Sequence, residues 1–204
     1  MNQRLGEFDR IERYFRPLAT DASLALSLID DAALITPTDG HETVVTTDTL
    51  VEGVHFLPDS DPFRLAQKLL RVNLSDMAAM GATPRCYFLA MSLPKDTPET
   101  WLHAFTDGLG RDQMTFGVTL GGGDSTQIDG PMVLTVTMMG EVPTGQALLR
   151  NAGKPGDKVL VSGTIGDGYL GLMAAQGGLN GLSEAALGYL VKRYETPNPR
   201  VSLG

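Results

Sequence analysis

Apolar positions along this chain recur with two periods, and the switches between them mark out its elements. Glu7 to Arg16 carries Phe8, Ile11, Tyr14 and Phe15 at helical spacing, which predicts a first helix stopped by Pro17. Ala32 to Ile35 reads as a short strand, followed by a turn at Pro37-Thr38-Asp39-Gly40. The β-branched run Thr43 to Asp48 predicts a second strand. Asp61-Pro62 opens the clearest helix, with Leu65, Leu69, Val72 and Met80 along one side, a bend expected near Asn73 and a stop at Gly81. Cys86 to Leu93 reads as a strand closed by Pro94. Pro98 to about Gly117 reads as a helix with Trp101, Phe105 and Leu109 one turn apart. Val118 to Leu120 is a short strand running into three glycines, and Pro131 to Glu141 is a long strand.

A second set of signals begins near Ala147. Gly153-Lys154-Pro155-Gly156-Asp157 is a turn, Lys158 to Ser162 a strand, Tyr169 to Gln176 and Ala185 to Arg193 helices, and Thr196 to Arg200 a linker-like stretch. The expected division is 1–145 and 146–204. Strands and helices alternate, but several strands lie close enough for antiparallel pairing. The predicted class is therefore α/β in the broad sense, a mixed α+β arrangement with a mixed sheet.

Composition narrows the function. With 204 residues, 42% hydrophobic and 20% charged, the chain is long enough for one large domain, or one domain and part of another. A formal net charge of −8 argues against nucleic acid as a main partner, because phosphate binding by that route needs clustered Lys and Arg. No apolar run is long enough to span a bilayer, and the first residues lack the apolar core of a secretion signal, so a cytoplasmic setting without membrane contact is expected. Cys86 is the single cysteine and lies in an apolar run, which excludes an internal disulfide.

The candidate chemistry lies in four aspartate-bearing segments: Ile29-Asp30-Asp31-Ala32-Ala33, Thr46-Thr47-Asp48, Asn73-Leu74-Ser75-Asp76 and Gly121-Gly122-Gly123-Asp124-Ser125. Carboxylates and hydroxyls are hard oxygen ligands for Mg²⁺, and glycines let backbone N–H groups approach a phosphate. Each segment also has a plain structural reading: a solvated turn for Asp30-Asp31, a Thr-rich edge strand, a helix cap for Asn73 to Asp76, and a flexible hairpin for the glycines. Thr47 and Asp48 are neighbours on a strand, so both reach one site only if the strand bends. His55, just beyond, is a candidate for a substrate phosphate or ring. Ser162 to Asp167 is balanced between a small phosphate loop and a tight turn. Arg150 is a candidate polyphosphate contact.

These segments, with Thr47-Asp48-Thr49-Leu50-Val51-Glu52-Gly53-Val54-His55-Phe56 and Val72 to Ala82, resemble the thiamine-monophosphate kinase family of the aminoimidazole ribonucleotide synthetase superfamily. The Asp-Asp and Gly-Gly-Asp segments alone indicate only the superfamily. The stretch from Thr47 to Pro58 is specific to the kinase branch. The resemblance implies an N-terminal domain whose mixed sheet pairs into a dimeric β-barrel, followed by the start of a second α/β domain. It implies ATP-dependent phosphorylation of thiamine monophosphate to thiamine diphosphate by a homodimer, with ATP as co-substrate and several Mg²⁺ ions. On this likeness Asp31, Thr46, Thr47, Asp48, Asp76 and Asp124 would hold metal. Gly122, Gly123 and Arg150 would contact ATP, and His55 would touch thiamine monophosphate. Family members continue well beyond Pro197-Asn198-Pro199-Arg200, and they usually carry Gly where this chain has Ile29. Two alternatives stand beside the kinase: another ATP-using synthetase of the superfamily, and a non-catalytic Mg²⁺–ATP-binding dimerisation module.

Overall fold

The computed structural model describes residues 6–204, so the first five residues of the expected 1–145 unit lie outside the described residues. The chain enters through α1 (Glu7–Arg10), which continues into a wide turn at Ile11–Phe15 and a tight one at Arg16–Leu18. The wide turn shifts the buried face onto Tyr14, Phe15 and Leu18. Phe8, expected on the apolar side, is left 84% exposed. A second short helix, α2 (Ala22–Ala25), is capped by the Asp21 carboxylate. Ala32 to Ile35, expected as a strand, joins no ladder. Ala33 and Ile35 instead lie against Leu24, Ala25 and Cys86.

The body of the fold runs β1 (His41–Val51), α3 (Pro62–Ala79), β2 (Thr83–Pro94), α4 (Glu99–Phe116), β3 (Thr119–Ile128) and β4 (Val133–Pro143). The sheet order is β1-β4-β2-β3, with β4 antiparallel to both neighbours and β2 parallel to β3. Two strand–helix–strand units are thus laid out in one direction, and β4 is slotted between their first and second strands. The expected mixed sheet is present.

Alternation along the strands explains which face is covered. Leu50 of β1, Tyr87, Leu89 and Met91 of β2, and Leu134, Val136 and Met138 of β4 are buried against α3 and α4. Val45, Thr47, Thr49, Thr135 and Thr137 point to the other face, which is open at the β1 side. From α3 the buried stripe is Leu65, Leu69, Asn73 and Met77, with Leu70 and Leu74, and it leaves Val72 only half-buried. The helix does not bend at Asn73. The Asn73 amide donates to the Leu69 carbonyl at 3.0 Å, bonding back along its own helix rather than capping a new one. From α4, Phe105 and Leu109 are fully buried and Trp101 stacks on Phe105 at 4.8 Å.

Beyond Pro143 the structure forms two helices, α5 (Asp167–Ala175) and α6 (Glu184–Glu195), which pack on each other. Lys158 to Ser162, expected as a strand, pairs with nothing among the described residues. Val159 and Leu160 are 92% and 88% exposed, because β-branched sequence forms a strand only when a ladder partner is present. α6 returns to α3, where Arg64 pairs with Glu195 and Arg71 donates to the Pro197 carbonyl.

Candidate functional site at two edges of the sheet

On β1, Val44, Thr46, Asp48 and Leu50 share the helix-covered face, and the first polar pair meets the last turns of α3. The Thr46 hydroxyl donates to Asp76 Oδ2 at 2.7 Å. Asp48 is half-buried, and its carboxyl is held above the usual range by burial and by the Asp76 charge, against a smaller opposing effect of His55. Two carboxylates therefore face each other at the helix–sheet seam. Among the described residues neither takes part in an ion pair.

Thr47 is not brought to this pair. The β1–β4 ladder is continuous from His41–Pro143 to Val51–Val133, so the strand does not bend and Thr47 stays on the open face. There its hydroxyl donates to the Val136 carbonyl at 3.1 Å and lies 3.1 Å from the Thr137 hydroxyl.

His55 sits in the tight turn that ends β1. Gly53 takes φ +77° there, which a side chain would resist, and the His55 N–H donates to the Val51 carbonyl at 2.8 Å. The Val51 N–H in turn donates to His55 Nδ1 at 3.1 Å. A ring nitrogen that accepts a backbone N–H carries no proton, so Nε2 holds the ring proton and is the donor left for a ligand. The Lys68 ammonium donates to the His55 carbonyl at 2.9 Å from the neighbouring helix.

The glycine segment is not a loop after a strand; it lies inside β3. Tyr87 pairs with Leu120 and Phe88 with Gly122, so Gly121 is the extra residue of a bulge. A Cβ on Gly123 would stand 2.0 Å from the Leu89 carbonyl oxygen, and one on Gly121 would press at 3.0 Å on the Phe88 ring. Packing alone thus accounts for Gly121 and Gly123. A Cβ on Gly122 would meet nothing closer than 3.4 Å, so packing makes no demand for glycine at that position.

Gly121 to Gln127 form one wall of a cavity of about 520 Å³. Asp30, Asp31, Ala32 and Ala33 form another, and Phe15, Leu28, Phe88 and Leu102 make its apolar part. Asp31 and Asp124 therefore line one space. Leu26, Ser27 and Leu28, which lead to Asp30, all hold left-handed backbone, a strained conformation for side-chain-bearing residues. Ser125, Thr126 and Arg10 also line this cavity. The hydroxyl pair immediately after Asp124 was the sequence signal for the first two; nothing local marks Arg10.

The chain does not bring its two carboxylate sets together. Asp48 lies in register with Val136, Leu89 and Gly123, three strand spacings across the sheet, roughly 14 Å. Asp124 pairs with Ala90 and points to the open face, opposite to Asp48. Among the described residues, no three His, Cys, Asp or Glu side chains converge on one point. Arg150 is exposed and lines neither this cavity nor the cleft beside α4. It follows Leu148, whose N–H donates to the Met80 carbonyl at 3.0 Å, and so lies toward the Asp76 end of α3.

Each edge therefore offers two carboxylates with hydroxyls nearby. That donor set fits Mg²⁺, which takes one or two protein carboxylates and fills its shell with waters and substrate phosphates. Repulsion between Asp48 and Asp76 is what a divalent cation would relieve.

The chain is similar to several known proteins. The chain is 44% identical over 197 residues to the thiamine-monophosphate kinase of Caulobacter vibrioides, covering 97% of this chain and 55% of that protein. It is 44% identical over 200 residues to that of Escherichia coli K12, covering 98% of this chain and 61% of that protein. The chain thus spans a little over half the length of these relatives. Its fold superposes on the crystal structure of thiamine-monophosphate kinase from Stenotrophomonas maltophilia with a TM-score of 0.83 and 44% identity, covering 98% of this chain and 63% of that one. It also superposes on AaThiL complexed with AMPPCP and TMP, with a TM-score of 0.74 and 28% identity, covering 99% and 63%. Residues 29–142 match the model of the AIR synthase related protein, N-terminal domain, and these residues include both carboxylate edges. By this match, which covers more than half of its length, the chain belongs to the AIR synthase related family.

Proposed function

We propose that this chain is the nucleotide- and metal-binding part of a thiamine-monophosphate kinase, transferring the γ-phosphoryl group of Mg²⁺–ATP to thiamine monophosphate. The observation that carries the reading is the half-buried Asp48 carboxylate facing Asp76, neither of which has an ion-pair partner among the described residues. The relatives named above and the neighbour complexed with AMPPCP and TMP support it.

The acceptor is a phosphate oxygen already ionised at neutral pH, so no general base is required. The chemistry needs relief of repulsion between two phosphate groups and in-line alignment, which bound Mg²⁺ supplies. In this reading Asp48 and Asp76 hold metal at one edge, and Asp31 and Asp124 hold it at the other. Thr46 fixes the orientation of Asp76. Gly122 and Gly123 offer backbone to the ATP phosphates, with the apolar cavity wall beside them suited to a ring. The His55 Nε2–H donates to the anionic oxygens of thiamine monophosphate. Arg150 reaches the polyphosphate from the Asp76 end. Residues 1–145 form the binding unit, and 146–204 begin the next.

A homodimer belongs to the proposal. The two carboxylate edges are separated within one sheet, and the face carrying Val45, Thr47 and Thr49 is open. A second copy packed on that face places the edges of two sheets around one another.

The test is chromatographic detection of thiamine diphosphate after mixing the 204-residue chain with Mg²⁺–ATP and thiamine monophosphate. Product above a metal-free control supports the kinase. A second reading, a Mg²⁺–ATP-binding dimerisation module, is favoured by the open sheet face on which Val45 is exposed. ATP bound without product supports it.

A further inference from the structure

The outer side of α3 carries a row of basic residues, Arg64, Lys68 and Arg71, each one turn from the next, and each engages the last part of the chain. Arg64 pairs with Glu195, and Arg71 donates to the Pro197 carbonyl at 3.3 Å. The middle member does something the other two do not. Lys68 Nζ lies 3.5 Å from the centre of the Tyr194 ring of α6, and the same ammonium donates to the His55 carbonyl at 2.9 Å. The Tyr194 hydroxyl points to that carbonyl too, at 3.4 Å. One side chain of α3 thus joins the turn carrying His55 to a helix of the second region.

We propose that Lys68 is a positioning residue: it clamps the Val51–Phe56 turn between α3 and α6 and so fixes the His55 imidazole with its Nε2–H facing an anionic substrate. The proposal rests on the assignment of His55 to the phosphate acceptor. The geometry makes the coupling direct. The His55 carbonyl and the His55 ring belong to one residue, and the ring is held by the Val51 N–H at the opposite end of the turn. If the carbonyl moves, the Nδ1 contact that sets the tautomer is lost with it. The ammonium is partly desolvated, and burial pushes its pKa down to about 8, with Glu195 of α6 opposing that change. A charge at this depth is retained only against partners, and the partners are the aromatic face and the carbonyl. Facing Lys68 are His55 from the turn, Tyr194 and Glu195 from α6, and Arg64 and Arg71 on its own helix. The consequence is that the second region sets the substrate turn from outside the carboxylate cluster, through α6 and a single amine.

The experiment uses the full 204-residue chain with isotope-labelled histidine, since only three histidines are present and His55→Gln assigns the relevant signal. In the wild type, the imidazole ¹⁵N spectrum of His55 should show one fixed tautomer with the proton on Nε2. Lys68→Met should bring the two His55 nitrogens toward averaged shifts, and Lys68→Arg should restore the wild-type pattern. Tyr194→Leu, which removes the aromatic face from the α6 side, should move the signal in the same direction as Lys68→Met. With thiamine monophosphate as substrate, Lys68→Met should raise KM by about tenfold and change kcat far less. A His55 spectrum in Lys68→Met identical to wild type overturns the clamp. If no variant, wild type included, forms thiamine diphosphate, the kinase reading has failed, and the His55 spectrum still decides the clamp.

Discussion

Helix α3 presents an aspartate problem on each of two sides, and the chain solves only one of them. On the α4 side Asp112 is fully buried and completely answered. Arg71 grips it with two bonds, 2.7 Å to Oδ2 and 2.9 Å to Oδ1, and the Gln67 amide adds a third at 2.8 Å. On the β1 side Asp48 is half-buried and faces a second carboxylate, with one threonine hydroxyl bound to Asp76 as the polar support. Both are aspartates at the seams of the same helix. The difference teaches where to look for function: a buried charge neutralised inside the chain is architecture, and a carboxylate pair without an ion-pair partner among the described residues is a candidate site.

The largest effect expected from this comparison is on the solved side. Arg71→Met leaves Asp112 buried without its cation, so it should cost about 3–5 kcal/mol in chemical denaturation. An effect near zero would erase the contrast. The β3 edge comes next. Gly123→Ala forces a Cβ against the Leu89 carbonyl and should destabilise by roughly 1–3 kcal/mol, the usual cost of overpacking. Gly122→Ala should leave stability nearly intact while weakening ATP binding measured by calorimetry. Equal behaviour of the two glycines would remove the ligand role from Gly122.

On the unsolved side the sign should reverse. Asp48→Asn relieves repulsion, so the metal-free chain should melt no lower than wild type, while the rise in Tm on adding Mg²⁺–ATP should shrink. Asp76→Asn should lower turnover and raise the Mg²⁺ needed for half-maximal activity. An unchanged Mg²⁺ titration takes Asp76 out of the site.

The smallest effect is in pH. Because the folded-state pKa of Asp48 is raised, the folded chain keeps its proton at pH values where the unfolded chain has lost it. Its unfavourable contribution is absent below the unfolded value of 3.8 and complete above the folded one. The stability of Asp48→Asn relative to wild type should therefore be greatest near neutral pH and fade as pH falls through the acid range. Lys68 gives the complementary check. Its folded pKa of about 8 lies below the unfolded 10.5, so wild-type stability relative to Lys68→Met should rise between those values. A flat difference in either experiment would show that the charges are not where the structure places them.

The sequence by itself determined the elements with strong periodicity: β1, α3, β2, α4 and β4 all appear where apolar spacing, Pro98, Gly81 and Gly117 put them. It also determined the donor chemistry, because Asp, Thr and Gly in four short segments limit what can bind. Three things were decided only by tertiary structure. The glycines lie within a bulged strand because β2 runs alongside them and supplies the ladder, which no local pattern reveals. Lys158 to Ser162 has strand composition and no strand, because pairing depends on a neighbour elsewhere in the chain. The distribution of Asp31, Asp48, Asp76 and Asp124 between two edges follows from β4 being inserted between β1 and β2. That insertion widens the gap by one strand, and the alternation of side chains then sends Asp48 and Asp124 to opposite faces. Side-chain chemistry is a local property of a residue; which carboxylate meets which is fixed by register and strand order, and these depend on contacts across the whole sheet.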